Sequence, residues 1–296
     1  ITPIGNMGDS LYRIKNNEKA IRFELKHGLL KVKSIKHFLL KDTLTLATFH
    51  FNSPHLTVWN YTPKKLKKDP RLQIQELLKK YTAELMVDNF VIDHASLDYH
   101  ATAQNGSFTH HIPDCSIYLK EVLINDQVDE VNLLFTPIYD IAINNYQYTE
   151  GIHSLKVANL HAIGGNHRIT ISNLLYEKEN KKIIQLPLTT IVEPRIGLYI
   201  YKHKILLDSL LFQNPQITLT NISHQSSTSQ SLKKNLVKLI ESFTTDIKSR
   251  HIAIEHADLE LDRVAINGEN SQIFKLTNLT FNIDGTDISK ETILDQ

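Results

Sequence analysis

The feature that most constrains the fold of this 296-residue chain is an internal repeat. VIDHASLDY at 91–99 is matched by AIEHADLEL at 253–261, and the Asn105-Gly106 dipeptide is matched by Asn267-Gly268, both at a spacing of 162 residues. Further upstream, KDTLTLATFHFNSPHLTVWN at 41–60 matches KHKILLDSLLFQNPQITLTN at 202–221 at a spacing of 161. Several matches in one order at nearly one spacing indicate a duplicated structural unit.

The repeat predicts how the chain is divided. KNNEKAIRFEL at 15–25 resembles KENKKIIQLPL at 178–188, as if it were the end of an earlier unit. We therefore expect the tail of a preceding unit at 1–30, a first unit at 31–191 and a second unit, incomplete at its C-terminal end, at 192–296. These bounds lead us to expect that the chain is a slice through a longer array.

The sequence of each unit predicts mainly β-structure. Segments such as FVIDHASLDY, YDIAINNYQY and HRITISNLLY alternate apolar and polar residues, which is the pattern of a half-buried strand. One amphipathic helix is predicted in each unit, at about 72–86 and 233–249, because apolar residues recur there at helical spacing. The predicted fold is a repeated, curled, mostly antiparallel sheet, shaped as an open groove or taco, with one amphipathic helix per repeat.

Composition excludes several classes of partner. There are 33 Lys and Arg against 32 Asp and Glu, so the chain has no overall field that would hold nucleic acid or an anionic membrane. The single cysteine, Cys115, cannot form an internal disulfide. No apolar run is long enough to span a bilayer, so any membrane anchor is expected outside this segment.

The stretch VIDHASLDY contains the side chains of a nucleophilic hydrolase, Asp93, His94 and Ser96. On a regular strand Asp93 and His94 point to opposite faces, so one cannot orient the other as a catalytic triad requires. The second copy has Asp258 in place of Ser96. We therefore predict no catalytic residues and no enzymatic activity.

Uninterrupted alternation through this strand predicts its two faces. Val91, Ala95, Leu97 and Tyr99 are expected on the drier face, and the other face is expected to carry Ile92, His94, Ser96 and Asp98.

HHIPDC at 110–115 brings His110, His111, Asp114 and Cys115 together in sequence. The spacing does not fit a closed zinc site, and SQIFKLT in the second unit keeps none of the four. No metal and no cofactor are predicted.

The candidate binding residues are the apolar side chains that alternation places on one face. They are Leu56, Val58, Leu97, Tyr99, Ile117, Leu119, Ile217, Leu219, Leu259, Leu261, Leu279 and Phe281. These residues line either an open trough or the closed core of a sandwich, and alternation does not distinguish the two.

The repeat also resembles a known family. FHFNSPHLTVWN, IQELLKKYTAEL, VIDHASLDYHATAQNGS and SIYLKEVLIND, with FQNPQITLTN, NLVKLIESFTTDI and AIEHADLELDRVAINGEN in the second unit, resemble AsmA-like proteins of bacterial envelopes, particularly the Bacteroidota type. That family is related to repeating β-groove proteins that bridge membranes and pass lipids along a hydrophobic trough. The resemblance implies a periplasmic module of a membrane-anchored protein in outer-membrane biogenesis, with lipid or phospholipid acyl chains as ligands and envelope proteins as further candidate partners. The alternative is a structural or protein-binding β-repeat module with a closed core and no lipid.

Overall fold

The structure is a computed structural model. It describes residues 12–13, 19–60, 76, 80–103, 106–125, 136, 138–179, 181–194, 204–220, 246–263 and 272–289. Strands account for most of these residues, as the alternating sequence predicts, and the described strands form one large, curled, mostly antiparallel sheet.

The described elements are fifteen strands and one helix. In chain order they are β1 (Tyr12–Arg13), β2 (Lys19–Glu24), β3 (His27–Ser34), α1 (Ile35–Lys41), β4 (Thr43–Asn52), β5 (His55–Asn60), β6 (Glu84–Ala103), β7 (Gly106–Ile124), β8 (Ile138–Glu150), β9 (His153–Ile163), β10 (Arg168–Lys178), β11 (Lys181–Val192), β12 (Lys204–Gln213), β13 (Gln216–Thr220), β14 (Asp246–Arg263) and β15 (Gln272–Ser289).

The same pairing scheme occurs twice in the sheet. In the first half, β4 and β5 both run parallel to the long strand β6, and β6 pairs antiparallel with β7. In the second half, β12 and β13 both run parallel to β14, and β14 pairs antiparallel with β15. β8 to β11 join the two halves as an antiparallel meander. The sequence matches therefore fall on strands with equivalent partners.

The matched Pro residues mark the same bend in both halves. Ser53 N–H donates to the Asp93 carbonyl at 2.7 Å, and Asn214 N–H donates to the Glu255 carbonyl at 2.8 Å. The following proline, Pro54 or Pro215, has no N–H to donate, and its carbonyl accepts a bond from the long strand. Each bend divides one strand into two, β4 from β5 and β12 from β13.

The sheet is a single layer in the described part of the chain. Its strands make their substantial contacts with hydrogen-bonded neighbours, and α1 packs on β3 and β4. The buried centre consists of Leu46, Val87, Leu119 and Val122, with partly buried apolar residues of β4, β6, β7 and β8 around it. These residues share one face of the sheet, and no second sheet is packed on that face within the described ranges.

The predicted helices are wrong at their C-terminal ends. Residues 84–86 begin β6, and residues 246–249 begin β14. The helical spacing of apolar residues continues into both strands. A strand that buries one face has apolar residues at every second position, and some of these also fall four residues apart, as in a helix. In the rest of the first prediction, Glu76 is helical and residues 80–83 are not, and the remaining residues of both predictions lie outside the described part. The helix that the structure does describe, α1, was not predicted.

Local capping explains where α1 begins and ends. The Ser34 side chain accepts a hydrogen bond from the His37 backbone N–H, and Asp42 ends the helix with a left-handed backbone, φ 53°. Within the described ranges no helix is long and apolar enough to cross a membrane.

Candidate functional site

A line of left-handed backbone residues crosses the sheet and sets the geometry of both faces. We call it the crease, and it consists of Ser53, His94, Asn145, Asn173, Asn214, His256 and Asn278, with φ between 50° and 58°. Asn and His tolerate this conformation better than most residues, and Ser is small. The registers place these residues in or beside one row of hydrogen-bonded positions across neighbouring strands.

The crease shifts the alternation of the strands by one residue. On β6, Ile92 pairs with Ile117 and Ala95 pairs with Cys115, so the two residues between them on β6 oppose the single Ser116 on β7. This is a β-bulge, and it keeps Ile92 on the same face as Ala95 and Leu97. On β8 the same spacing of three separates Ile143 from Tyr146.

The bulge corrects the predicted faces of VIDHASLDY. Ile92 lies with Ala95, Leu97 and Tyr99, while Val91 pairs with Tyr118, whose hydroxyl bonds to Asn89 on the other side. Asp93 and His94 were expected on opposite faces, but both make their side-chain contacts on the polar side. The prediction was wrong because it assumed alternation without a bulge.

With this shift, one face is apolar from one end of the sheet to the other. We call it the apolar face, and a row across it reads Val58, Tyr99, His110, Tyr148, Leu155, Tyr176, Ile184, Ile217, Leu259 and Leu276. Ring contacts confirm that residues from neighbouring strands meet there, since the His110 ring centroid lies 5.7 Å from Tyr99 and 4.9 Å from Tyr148.

The candidate residues chosen from the sequence occupy strand positions of this face. Leu56, Val58, Leu97 and Tyr99 are adjacent across β5 and β6, and Ile117 and Leu119 pair with Ile92 and Phe90 on β6. Ile217 and Leu259 pair across β13 and β14, while Leu279 and Phe281 lie on β15 opposite Ala257 and Ile254. Leu219 and Leu261 pair with one another, but their side chains lie outside the described part.

The sequence prediction missed the middle of the apolar face. Its side chains there come from β7 to β11 and include Phe108, His110, Tyr146, Tyr148, Leu155, Leu174 and Tyr176. The signal was present, because alternation in YDIAINNYQY changes phase at its paired asparagines and alternation in RITISNLLYEK changes phase at Ser-Asn.

The titratable groups of the apolar face whose pKa is shifted are shifted toward the uncharged form. Burial lowers the pKa of His110, which favours the neutral imidazole. Burial also raises the pKa of Cys115, Tyr146 and Tyr148, and the Glu150 carboxylate adds to the increase at Tyr148. This surface therefore offers aliphatic and aromatic contact without fixed charge at these positions.

The opposite, polar face carries histidine–carboxylate pairs between neighbouring strands. His50 Nε2 lies 2.9 Å from Asp93, His111 Nδ1 lies 2.6 Å from Asp98, and His161 Nε2 lies 2.6 Å from Asp140. All three pairs are partly exposed, so each contributes little to stability.

Two copies of one contact explain why histidine recurs in the repeat. His94 N–H donates to Ser116 Oγ, and its Nδ1 lies 3.1 Å from Asp114. His256 N–H donates to Thr280 Oγ1, and its Nδ1 lies 2.6 Å from Asn278. In both copies the histidine has a left-handed backbone and closes the bulge against the next strand.

The hydrolase-like residues do not form the triad that their sequence order suggests. Ser96 Oγ lies 2.7 Å from His55 Nδ1, an arrangement that sequence order did not reveal. Asp98 is 3.7 Å from His55 Nε2, beyond hydrogen-bond distance, while Thr57 Oγ1 is 3.0 Å from that nitrogen. The acid therefore does not orient the imidazole as a triad requires.

HHIPDC is divided between the two faces. His110 bonds to the Tyr146 hydroxyl on the apolar face, while His111 and Asp114 lie on the polar face. Among the residues that the structure describes, no group of three His, Cys, Asp or Glu side chains is placed to hold a metal ion.

Comparison of the chain with protein-family models, with curated proteins and with solved structures finds no match.

Proposed function

We propose that this chain is a non-enzymatic β-groove module that binds or guides lipid acyl chains along its apolar face. The observation that carries the proposal is an apolar face which continues across the described sheet and is not covered by a second described layer. Each methylene that leaves water contributes about 0.8 kcal/mol, so an acyl chain can be held without a specific polar contact.

The chemistry of the face suits an acyl chain better than a polar ligand. Its titratable groups with shifted pKa are neutral at physiological pH, and the histidine–carboxylate pairs lie on the other side. A long apolar face favours a long apolar ligand such as an acyl chain. The proposed shape is an open groove, with the crease contributing to the curl.

The cellular role in this proposal comes from the resemblance to AsmA-like proteins. It places the module in the periplasm of a bacterial envelope, in outer-membrane biogenesis, with an anchor outside this segment. The alternative, a structural or protein-binding module with a closed core, needs a second layer over the apolar face. Such a layer is not present among the described residues.

Two neighbouring leucines offer a matched test. Leu174 pairs with Val157 and Leu186 on the apolar face, while Leu175 pairs with Lys156 and Gln185 on the polar face. The proposal expects Leu174→Asp to lose co-purifying lipid and Leu175→Asp to keep it. Native mass spectrometry and lipid extraction after gentle purification measure this.

The controls separate folding from binding. Circular dichroism must show that both variants keep the β-sheet, and Tyr148→Asp with Gln147→Asp provides a second pair of neighbours on opposite faces. Absence of lipid from the wild-type protein, with no uptake of added phospholipid, contradicts the proposal. Equal lipid loss in both members of each pair contradicts it as well.

A further inference from the structure

One end of the described sheet carries an apolar surface that is exposed in the described part of the chain. Helix α1 has seven residues and none of them is buried. Leu39 and Leu40 are 74% and 71% exposed, and Ile35 is 65% exposed. A helix of two turns is unstable alone in water, and exposed apolar side chains on this scale normally mark an interaction site.

The strand that leads into α1 extends this surface. Seven of the eight residues of β3 are exposed, and they include apolar residues on both faces of this strand, Leu29 on the polar side and Leu30 and Val32 on the apolar side. β3 pairs with β4 on one side, and the pairs described for it are all with β4. We define the β3–α1 surface as residues 26–41, KHGLLKVKSIKHFLLK.

The charge of the β3–α1 surface has one sign. Its charged residues are Lys26, Lys31, Lys33, Lys36 and Lys41, and the stretch contains no Asp or Glu. Lys33 pairs with Asp88 on β6 at 3.0 Å. Asp42 follows the stretch directly, and the five lysines outnumber Asp42 and Asp88 together, so the balance of these charges is positive.

From this combination we propose that the β3–α1 surface docks on an anionic lipid bilayer. Exposed leucines that enter the interface and lysines that contact phosphates are the usual features of a membrane-surface segment. A second copy of the same surface is disfavoured as the occupant, because it would bring five lysines against five lysines. This inference does not depend on acyl-chain binding by the apolar face.

The test uses vesicle flotation with phosphatidylcholine alone and with phosphatidylcholine containing phosphatidylglycerol. We expect binding to the anionic vesicles only, and weaker binding as salt is raised. Lys36→Gln/Lys41→Gln should weaken the affinity about 25-fold, at roughly fivefold per lysine. Leu39→Ser/Leu40→Ser should weaken it at least about tenfold.

Matched controls come from the rest of the sheet. Lys178→Gln/Lys181→Gln at the β10–β11 turn and Ile152→Ser at the β8–β9 turn change exposed residues of the same kinds, and both should bind vesicles like the wild type. Equal loss in these controls overturns the proposal, as does wild-type protein that does not float with anionic vesicles.

Two other occupants give distinct results. If a second copy covers the surface, sedimentation will show a wild-type dimer that Leu39→Ser/Leu40→Ser converts to a monomer. If residues of the same chain outside the described ranges cover it, this variant will lower the melting temperature by several degrees without vesicles. Either result overturns the proposal. Lipid extraction from the same samples reports separately on the apolar face.

Discussion

The strand pairs β6–β7 and β14–β15 have nearly the same backbone but different surroundings. Both contain the histidine bulge, and a second left-handed residue follows at Glu121 in β7 and at Gly285 in β15. β7 pairs with β8 on its other side, whereas the pairing described for β15 is with β14 alone. Leu119 of β7 is accordingly 8% exposed, and its equivalent Ile283 of β15 is 43% exposed.

This difference shows that alternation along a strand determines the face of the sheet on which a side chain lies. Pairing with a further strand then determines how far that side chain is buried. The same apolar position stabilises the fold in β7 and is available for contact in β15. The two pairs also differ at the bulge, where Asp114 in the first copy corresponds to Asn278 in the second. Because the geometry is kept while the charge is lost, the contact needs a hydrogen-bond acceptor and does not need a carboxylate.

The largest expected effect concerns burial. Leu119→Ala should lower the free energy of unfolding by about 3 kcal/mol, because it leaves a cavity beside Val87 and Val122. Ile283→Ala should lower it by about 1 kcal/mol or less, because that side chain is already partly in water. Urea denaturation of both variants measures the difference. Equal losses would show that β15 is as well covered as β7.

A smaller effect is expected at the bulge and should be the same in both copies. His94→Val and His256→Val should each be at least about 1 kcal/mol less stable than the corresponding glycine variants, because a β-branched residue is strained at positive φ. His100, which is not among the left-handed residues, is the control. At position 100 the valine variant should be more stable than the glycine variant, since strands favour β-branched residues over glycine. Chemical denaturation of the six variants tests this.

The smallest effect concerns the charge difference between the two bulges. Hydrogen bonds from Asn144 and then from His94 hold the pKa of Asp114 below its usual value of 3.8. The folded state therefore binds fewer protons than the unfolded state, so the contribution is present above pH 3.8 and is lost as pH falls through the lowered pKa. The Asp114 side chain is 36% exposed, so solvent screens its contacts and we expect less than about 1 kcal/mol.

Exchanging the two residues tests that assignment. Asp114→Asn should reduce the fall in melting temperature as the pH is lowered. Asn278→Asp should increase that fall, because it places a carboxylate beside His256. Thermal melts from neutral to acidic pH give both slopes. If neither changes, the acceptor at the bulge makes no measurable contribution through its charge.

The strands were predictable from the sequence, whereas their breaks in alternation were not. Alternation in FVIDHASLDY identified β6, but a prediction that assumes a constant period assigns Val91 and Ile92 to the wrong faces. The bulge needs an extra residue on one strand relative to its partner, and a single segment does not show its partner's register. The phase shifts at Asn145 and Asn173 could have been read from the sequence, because apolar residues there change from even spacing to a spacing of three.

The helix predictions show a different limit. Leu85 belongs to the apolar stripe of the first predicted helix, yet it lies in β6 opposite Ile124. Pairing of this part of β6 with β4 on one side and β7 on the other outweighs local helical spacing. In α1 the opposite holds, since the Ser34 cap specifies a helix whose apolar residues are not on one buried side.

The most direct test of the central claim uses the only tryptophan of the chain. Trp59 lies on the polar face, stacked on His100, while its neighbours Val58 and Tyr99 lie on the apolar face. Brominated fatty acid quenches tryptophan emission at short range, so it reports which face an acyl chain contacts. The account predicts strong quenching in Tyr99→Trp/Trp59→Phe and little quenching of Trp59 in the wild type. Equal quenching in both, or none in the variant, would contradict acyl-chain binding on the apolar face.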